Sequence, residues 1–138
     1  MKEPSAKRKR TIALQERALR FSTGVNVCCP PRFSNLPSKV VWNQLVRAAD
    51  SASSNLLEAD SASSEADFLS KMGIALREAK EARGAMTKLR LGQLDNARLV
   101  AERDLESEAD QLAAIFSTII LNMRLRLEDD AGRRKRKQ

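Results

Sequence analysis

Several residue types on which enzymes depend are scarce or absent in this chain. It has no histidine and only two cysteines among its 138 residues. Histidine is the commonest general base near neutral pH, and zinc sites need histidines and cysteines in set spacings. Cys28 and Cys29 are adjacent, which disfavours both a zinc site and a disulfide between them. Phosphate-binding loops, nucleophile elbows and dinucleotide fingerprints are also missing. We therefore predict no enzyme activity, no metal and no cofactor.

Glycine, proline and aromatic residues are also few. Five glycines, four prolines and an aromatic content of 4% favour helices over strands and leave the core to Leu, Ile, Val, Ala and Met. The length fits one domain. We therefore predict an all-α protein.

No segment has the length or composition of a membrane anchor. The longest apolar stretch, Leu112 to Met123, is too short to cross a bilayer and is flanked by charges. The basic N-terminus has no apolar run behind it, so we expect no signal peptide. With two cysteines expected to stay reduced, these features predict a cytoplasmic protein without membrane contact.

The clearest helical pattern predicts a third helix over residues 64–91. Its apolar residues recur at steps of four and three, which places them in one narrow seam. Ser64 stands where it can cap the first turn, and Gly92 is a plausible stop. The seam consists of Phe68, Met72, Ala75, Ala79, Ala82, Met86 and Leu89.

The preceding segment predicts a second helix over residues 38–60, with Pro37 and Ser38 at its start. One face is apolar, and another carries polar side chains that stay in register for about four turns at the helical repeat. The apolar face comprises Val40, Val41, Leu45, Ala48, Ala52, Leu56 and Ala59; the polar stripe comprises Gln44, Arg47, Ser51, Asn55 and Glu58.

The two remaining helices are predicted over residues 11–27 and 95–128. Pro30 and Pro31 close the segment that follows the first. In the last, the residues expected to face inward are Leu105, Leu112, Ile115, Phe116, Ile119, Ile120 and Met123.

The middle third of the chain also carries three groups of residues that form a known motif: Arg47, Ser51, Asn55, Glu58 and Ala59, then Ser64, Asp67 and Phe68, then Ala75, Glu78 and Glu81. In these residues the chain resembles the bacterial four-helix-bundle proteins encoded by intervening sequences in large-subunit rRNA genes. It is more distantly similar to the accessory variability determinant of diversity-generating retroelements. The resemblance implies an antiparallel up-and-down four-helix bundle, a homopentameric ring and, for the retroelement branch, a reverse transcriptase as partner.

Glu58, Glu78 and Glu81 admit two interpretations. Di-iron bundles bind metal through glutamates together with histidines, and this chain has none. We favour a structural polar stripe, in which Arg47 and Asn55 meet Glu78 or Glu81 and fix the register between the two helices.

The distribution of charge is the strongest functional signal. Residues 1–10 carry a net charge of +4 and residues 131–138 carry +5, against +7 for the whole chain, so the body between them carries −2. Basic arms can neutralise phosphates without a fixed pocket. The predicted nucleic-acid-binding residues are Lys7, Arg8, Lys9, Arg10, Arg133, Arg134, Lys135, Arg136 and Lys137.

Two function classes stay open at this point. The first is a non-enzymatic, oligomeric nucleic-acid-binding scaffold, with RNA favoured over DNA, that assists a reverse transcriptase. The second is a protein interaction or assembly module whose basic tails only aid solubility.

Overall fold

The computed structural model describes residues 2–138 and is built from helices, with no strand in that range. Four of the five helices are long and one is short. The prediction of an all-α protein is therefore confirmed. The helices are α1 (Ala6–Cys28), α2 (Leu36–Asp60), α3 (Glu65–Gly92), α4 (Ala97–Glu102) and α5 (Leu105–Lys137).

The contact between α2 and α3 is the most extensive in the structure. Both helices present alanines to it, which allows their backbones to approach closely. Six of the seven residues of the predicted α3 seam are buried, and Phe68 at its start is partly buried. Ser64 accepts a hydrogen bond from the backbone N–H of Asp67, as predicted, at 3.0 Å. A four-residue connection then makes the two helices antiparallel.

One prediction for the apolar face of α2 is wrong. Val40 is 45% exposed, whereas Trp42, which the apolar pattern passed over, is fully buried. Val40 lies about two helical turns before Arg47 and about five turns before Glu58, so it shares the outward side of the helix with them. The larger indole ring takes the core position because it removes more apolar surface from water.

The long helices on either side of this pair are held to it by packing and ion pairs. Arg8 near the start of α1 binds Asp60 at the end of α2 through two hydrogen bonds of 2.7 and 2.8 Å. Arg90 near the end of α3 binds Glu106 at the start of α5 at 3.0 Å, and Arg17 of α1 binds Glu108 of α5 at 2.6 Å. Each long helix therefore runs opposite to the one before it, and one core lies among all four.

The single last helix predicted over residues 95–128 is broken in two. The short α4 ends at Glu102, and Asp104 adopts a left-handed conformation with φ 55° before α5 begins. Aspartate tolerates this conformation better than most residues. Neither glycine nor proline stands at this point of the chain, so the break has no local signal.

The connection between α3 and α4 is tied to the start of α2. The Trp42 Nε1–H donates to the backbone oxygen of Asp95 at 2.8 Å, and the Asp95 carboxylate accepts from the backbone N–H of Ser34 at 2.6 Å. Hydrogen bonds to the carboxylate hold the pKa of Asp95 below its ordinary value, the Ser34 backbone bond being the largest cause. Asn96 donates to the carbonyl of Cys28 at 2.9 Å. The apolar core is thereby closed at this end.

Most of the two predicted basic arms is helical, since residues 6–10 belong to α1 and residues 131–137 to α5. The first helix begins at Ala6 instead of residue 11, and α5 continues to Lys137 instead of residue 128. Ser5 caps α1 by accepting from the backbone N–H of Arg8 at 3.1 Å. Arginine and lysine are good helix formers, and cations at a helix C-terminus interact favourably with the helix dipole.

The left-handed residue at the end of α3 leads to a prediction about the stability of the protein. Gln93, and not Gly92, occupies the left-handed position there, with φ 50°. A residue with a Cβ is strained in that conformation, so Gln93→Gly is expected to stabilise the protein by about 1 kcal/mol and raise Tm by about 4 °C. Thermal unfolding followed by circular dichroism measures this.

Lys80→Gly is the matched control, because Lys80 is exposed inside the same helix. There glycine is expected to cost about 1 kcal/mol. If both variants lost stability, the prediction that the backbone of Gln93 is strained would be wrong.

Candidate functional site

The topology brings the two basic segments to the same end of the molecule. Because α1 and α5 are antiparallel, the start of one lies beside the second half of the other, and Lys7, Asn122 and Arg126 line one groove. We call this end, with Lys7–Arg10 and Arg133–Lys137, the basic end.

The last turns of α5 extend past the other helices. Leu105 at the start of α5 lies beside Gly24 of α1, where a Cβ added to the glycine would be 3.4 Å from the leucine side chain. From that level α1 runs 18 residues to its start and α5 runs 32 residues to its end. At 1.5 Å per residue, α5 is longer by roughly 20 Å. Residues 133–137 are exposed and, being consecutive, place cations all around the helix.

Seven of the nine predicted nucleic-acid-binding residues are free of ion pairs within residues 2–138. The exceptions are Arg8, which is held by Asp60, and Lys9, which lies 3.3 Å from Glu3. The Arg8 guanidinium lowers the pKa of Asp60, as expected of a carboxylate with a charged hydrogen-bond donor. Arg8 is therefore bonded within the fold and Lys9 is paired with Glu3, while the other seven cations have no ion pair in residues 2–138.

An apolar groove of about 700 Å³ opens at the basic end. Its walls come from all four long helices, and its mouth carries polar and charged side chains, among them Lys7, Asn122 and Arg126. The sequence interpretation missed this groove because its walls meet only in the folded chain. The apolar lining includes Leu14, Leu56, Ala59, Phe68, Met72, Ile119 and Met123.

The predicted polar stripe lines a second groove, between α2 and α3. This polar groove, about 610 Å³ in volume, brings Arg47 and Ser51 of α2 to the same site as Glu78 and Glu81 of α3. Gln44 and Lys88 complete its rim, and Ala48, Gly84 and Ala85 line it as well. Lys88 was missed, because its spacing alone does not distinguish it from other exposed lysines.

The expected contacts across the stripe are not formed. Arg47 has no ion pair within 4.0 Å among residues 2–138, and Asn55 instead donates to the backbone oxygen and hydroxyl of Ser51 on its own helix. Glu58 pairs with Lys71 of α3 at 3.2 Å. Arg47 is exposed, so solvation satisfies its charge without a partner. The stripe is a surface groove rather than a buried polar layer.

Glu78 is the most perturbed carboxylate in the polar groove. Its side chain is only 15% exposed. Burial is the main cause that raises its pKa, repulsion from Glu81 adds to the increase, and Arg77, 3.5 Å away, opposes it. The groove thus holds a carboxylate that favours its neutral form more than an exposed glutamate does.

Other chemistry is limited in the part of the chain that the structure describes. Cys28 is buried and Cys29 partly buried, both are free thiols, and burial raises the pKa of each. Residues 2–138 contain no group of three or more cysteine, aspartate or glutamate side chains able to hold a metal ion. Every helix in this range is too short or too polar to span a membrane.

The fold is shared with a solved structure. A crystal structure of a protein of unknown function from the S23 ribosomal protein family, from Bacteroides thetaiotaomicron, is similar to this chain with a TM-score of 0.63 and 23% sequence identity. The similarity covers 78% of this chain and 97% of that one. The sequence matches no protein-family model and no curated protein. What the likeness shows is an all-helical fold common to the two proteins.

The raised pKa of Glu78 predicts a pH-dependent gain in stability for Glu78→Gln. The folded state binds this proton more tightly than the unfolded state, whose pKa lies near 4.5. The ionised side chain therefore destabilises the fold above the raised pKa, and this cost disappears below pH 4.5. Chemical denaturation at pH 7 should show a gain of about 0.5 kcal/mol that shrinks as the pH falls to about 4.

Glu16→Gln serves as the control, since Glu16 is exposed on α1 and has no ion pair within 4.0 Å in residues 2–138. It is expected to change stability equally little at both pH values. A gain for Glu78→Gln that did not depend on pH would rule out burial of its charge as the cause.

Proposed function

We propose that this protein is a non-enzymatic nucleic-acid-binding scaffold that grips phosphates at the basic end and prefers RNA to DNA. The observation that carries the proposal is the placement of two cation clusters at one end, staggered along the helix axis by roughly 20 Å, with Lys7, Arg10 and residues 133–137 uncommitted to ion pairs in the described chain. Cations presented without carboxylate partners release counterions when they meet phosphates.

The helical form of the α5 tip supports the same function. A helix with cations on every side has no apolar face to bury against protein or membrane, and its own C-terminal dipole favours these charges. The tip holds five of them within roughly 6 Å along the helix axis, since each residue adds 1.5 Å. This density of positive charge suits a polyanion better than a single carboxylate.

We further propose that the scaffold is a homopentamer whose subunits present their basic ends together and assist a reverse transcriptase. The resemblance to the rRNA intervening-sequence proteins and to the retroelement accessory protein supports this part of the proposal. Five basic ends in one particle would raise the effective concentration of cations, so contacts that are weak singly would bind RNA firmly.

The polar groove favours a second candidate function, a protein interaction module. Arg47, Glu78 and Glu81 lie in one exposed groove floored by small residues, so a helix of another protein can approach closely and meet both signs of charge. In that function the cations of the basic end serve solubility alone.

Salt-dependent binding distinguishes the two functions. Replacing all five cations of residues 133–137 with glutamine should lower the affinity for unstructured RNA at least tenfold, measured by fluorescence anisotropy. The slope of log affinity against log salt should also become shallower by about 0.7 for each phosphate that the variant no longer neutralises. Substitution is preferable to truncation because both basic segments belong to helices: residues 6–10 form the first turns of α1, and residues 133–137 form the last turns of α5.

A matched variant replaces five exposed cations outside the basic end with glutamine: Arg20, Lys39, Lys80, Lys88 and Arg103. It makes the same change in net charge and is expected to bind RNA nearly as well as the unaltered protein. Equal reductions in affinity for both variants would mean that only net charge matters. Failure of the unaltered protein to bind any nucleic acid would favour the interaction module.

A further inference from the structure

We infer that the apolar groove of the basic end receives unpaired bases, so that the protein selects single-stranded over double-stranded nucleic acid. This inference rests on the proposed function and specifies its ligand. It depends on the position of the groove, on the side chains at its mouth and on the row of cations that leads away from it.

The groove offers an apolar surface that the folded chain leaves uncovered. Phe68, Ile119 and Met123 are only partly buried although they line it. A single strand exposes the faces of its bases, and stacking of a base on an aromatic ring contributes about 1–3 kcal/mol. A duplex keeps those faces inside its stack, so it has little apolar surface to offer the groove.

The groove has uncommitted polar groups at its mouth, and its lining also includes Glu65 and Asp60, of which Asp60 is bonded to Arg8. Asn122 makes no side-chain hydrogen bond within residues 2–138, and Lys7 has no ion pair there. Arg126 places Nη2 3.0 Å from the Met123 sulfur and has no carboxylate partner in that range. Amide groups can bond to base edges, and the two cations can bind the flanking phosphates.

A row of cations continues from the mouth along α5. Arg126, Arg133 and Lys137 follow Asn122 at steps of four, seven and four, so all of them lie on the face of α5 that carries the groove. Asp130 occupies the intermediate position of this row, four residues after Arg126 and three before Arg133, and Asp129 lies beside it, so an acidic position separates the two sets of cations. The phosphates are therefore expected at Arg126 and at the last turn, with the bases between the groove and the helix tip.

The charge pattern also argues against an acidic protein segment as occupant. A peptide helix in the groove would satisfy Lys7 and Arg126 but would leave the last turn of α5 without anions. A nucleic acid strand carries a phosphate at every residue and can reach both sets of cations. The apolar groove and the basic tip then form one continuous site.

Competition binding tests the inference with a fluorescent oligouridine as probe. Oligouridine should bind at least tenfold more tightly than an RNA duplex of the same length. Phe68→Leu keeps an apolar side chain but removes the ring, so it should weaken oligouridine binding about fivefold or more while leaving duplex binding unchanged. Phe33→Leu, at a partly buried phenylalanine in the α1–α2 connection, is the control and should change neither.

Two double variants test whether the cations on the groove face of α5 contribute more to binding than the others at the helix tip. Arg133→Gln with Lys137→Gln removes two cations on the groove side, whereas Lys135→Gln with Arg136→Gln removes two that point elsewhere. The first pair should weaken oligouridine binding about fivefold more than the second. Circular dichroism checks that each variant keeps its helices.

Equal affinity for oligouridine and duplex, or no effect of Phe68→Leu, would overturn the inference. The proposed function would survive that result as long as binding remained salt-dependent and required residues 133–137. Displacement of the probe by polyglutamate as effectively as by unlabelled oligouridine would also overturn it, because the bases would then contribute nothing. Absence of any RNA binding would refute both.

Discussion

The close approach of α2 and α3 is the constraint on which the other features depend. Alanines from both helices fill their interface, and larger side chains there would force the helices apart at a cost of about 1–3 kcal/mol each. The same two helices form the floor of the polar groove and, through Leu56, Ala59, Phe68 and Met72, part of the apolar groove. Both candidate sites therefore take their shape from one alanine-rich interface.

Most of the helical architecture could be predicted because it depends on local periodicity. The seam of α3 and the capping role of Ser64 follow from steps of three and four and from side-chain chemistry within a few residues. The misplacement of Val40 and the omission of Trp42 conflict with that same periodicity, because Val40 is in phase with the exposed Arg47 whereas Trp42 is in phase with the buried Leu45 and Ala49. The bond of Trp42 to Asp95, 53 residues further along the chain, could not be predicted.

For the candidate site, only the positions of the basic clusters in the chain could be predicted from the sequence. Composition located the basic clusters, but it could not show that Arg8 is held by Asp60, because the two are 52 residues apart in the chain. It also could not show that residues from four helices form an apolar groove beside Lys7. Those facts depend on the direction of each helix. For the polar stripe, the periodicity was identified correctly, but its side chains line a surface groove instead of forming contacts that fix the register of α2 and α3.

The burial of Trp42 gives this protein a natural optical reporter. It is the only tryptophan, and the chain has no tyrosine. Its indole is fully enclosed and bonded to Asp95, at the end of the molecule opposite the cation clusters. Intrinsic fluorescence therefore comes from one known environment and will follow the opening of the α3–α4 connection. Ligands that bind at the far end should leave that emission unchanged unless the whole helical assembly rearranges.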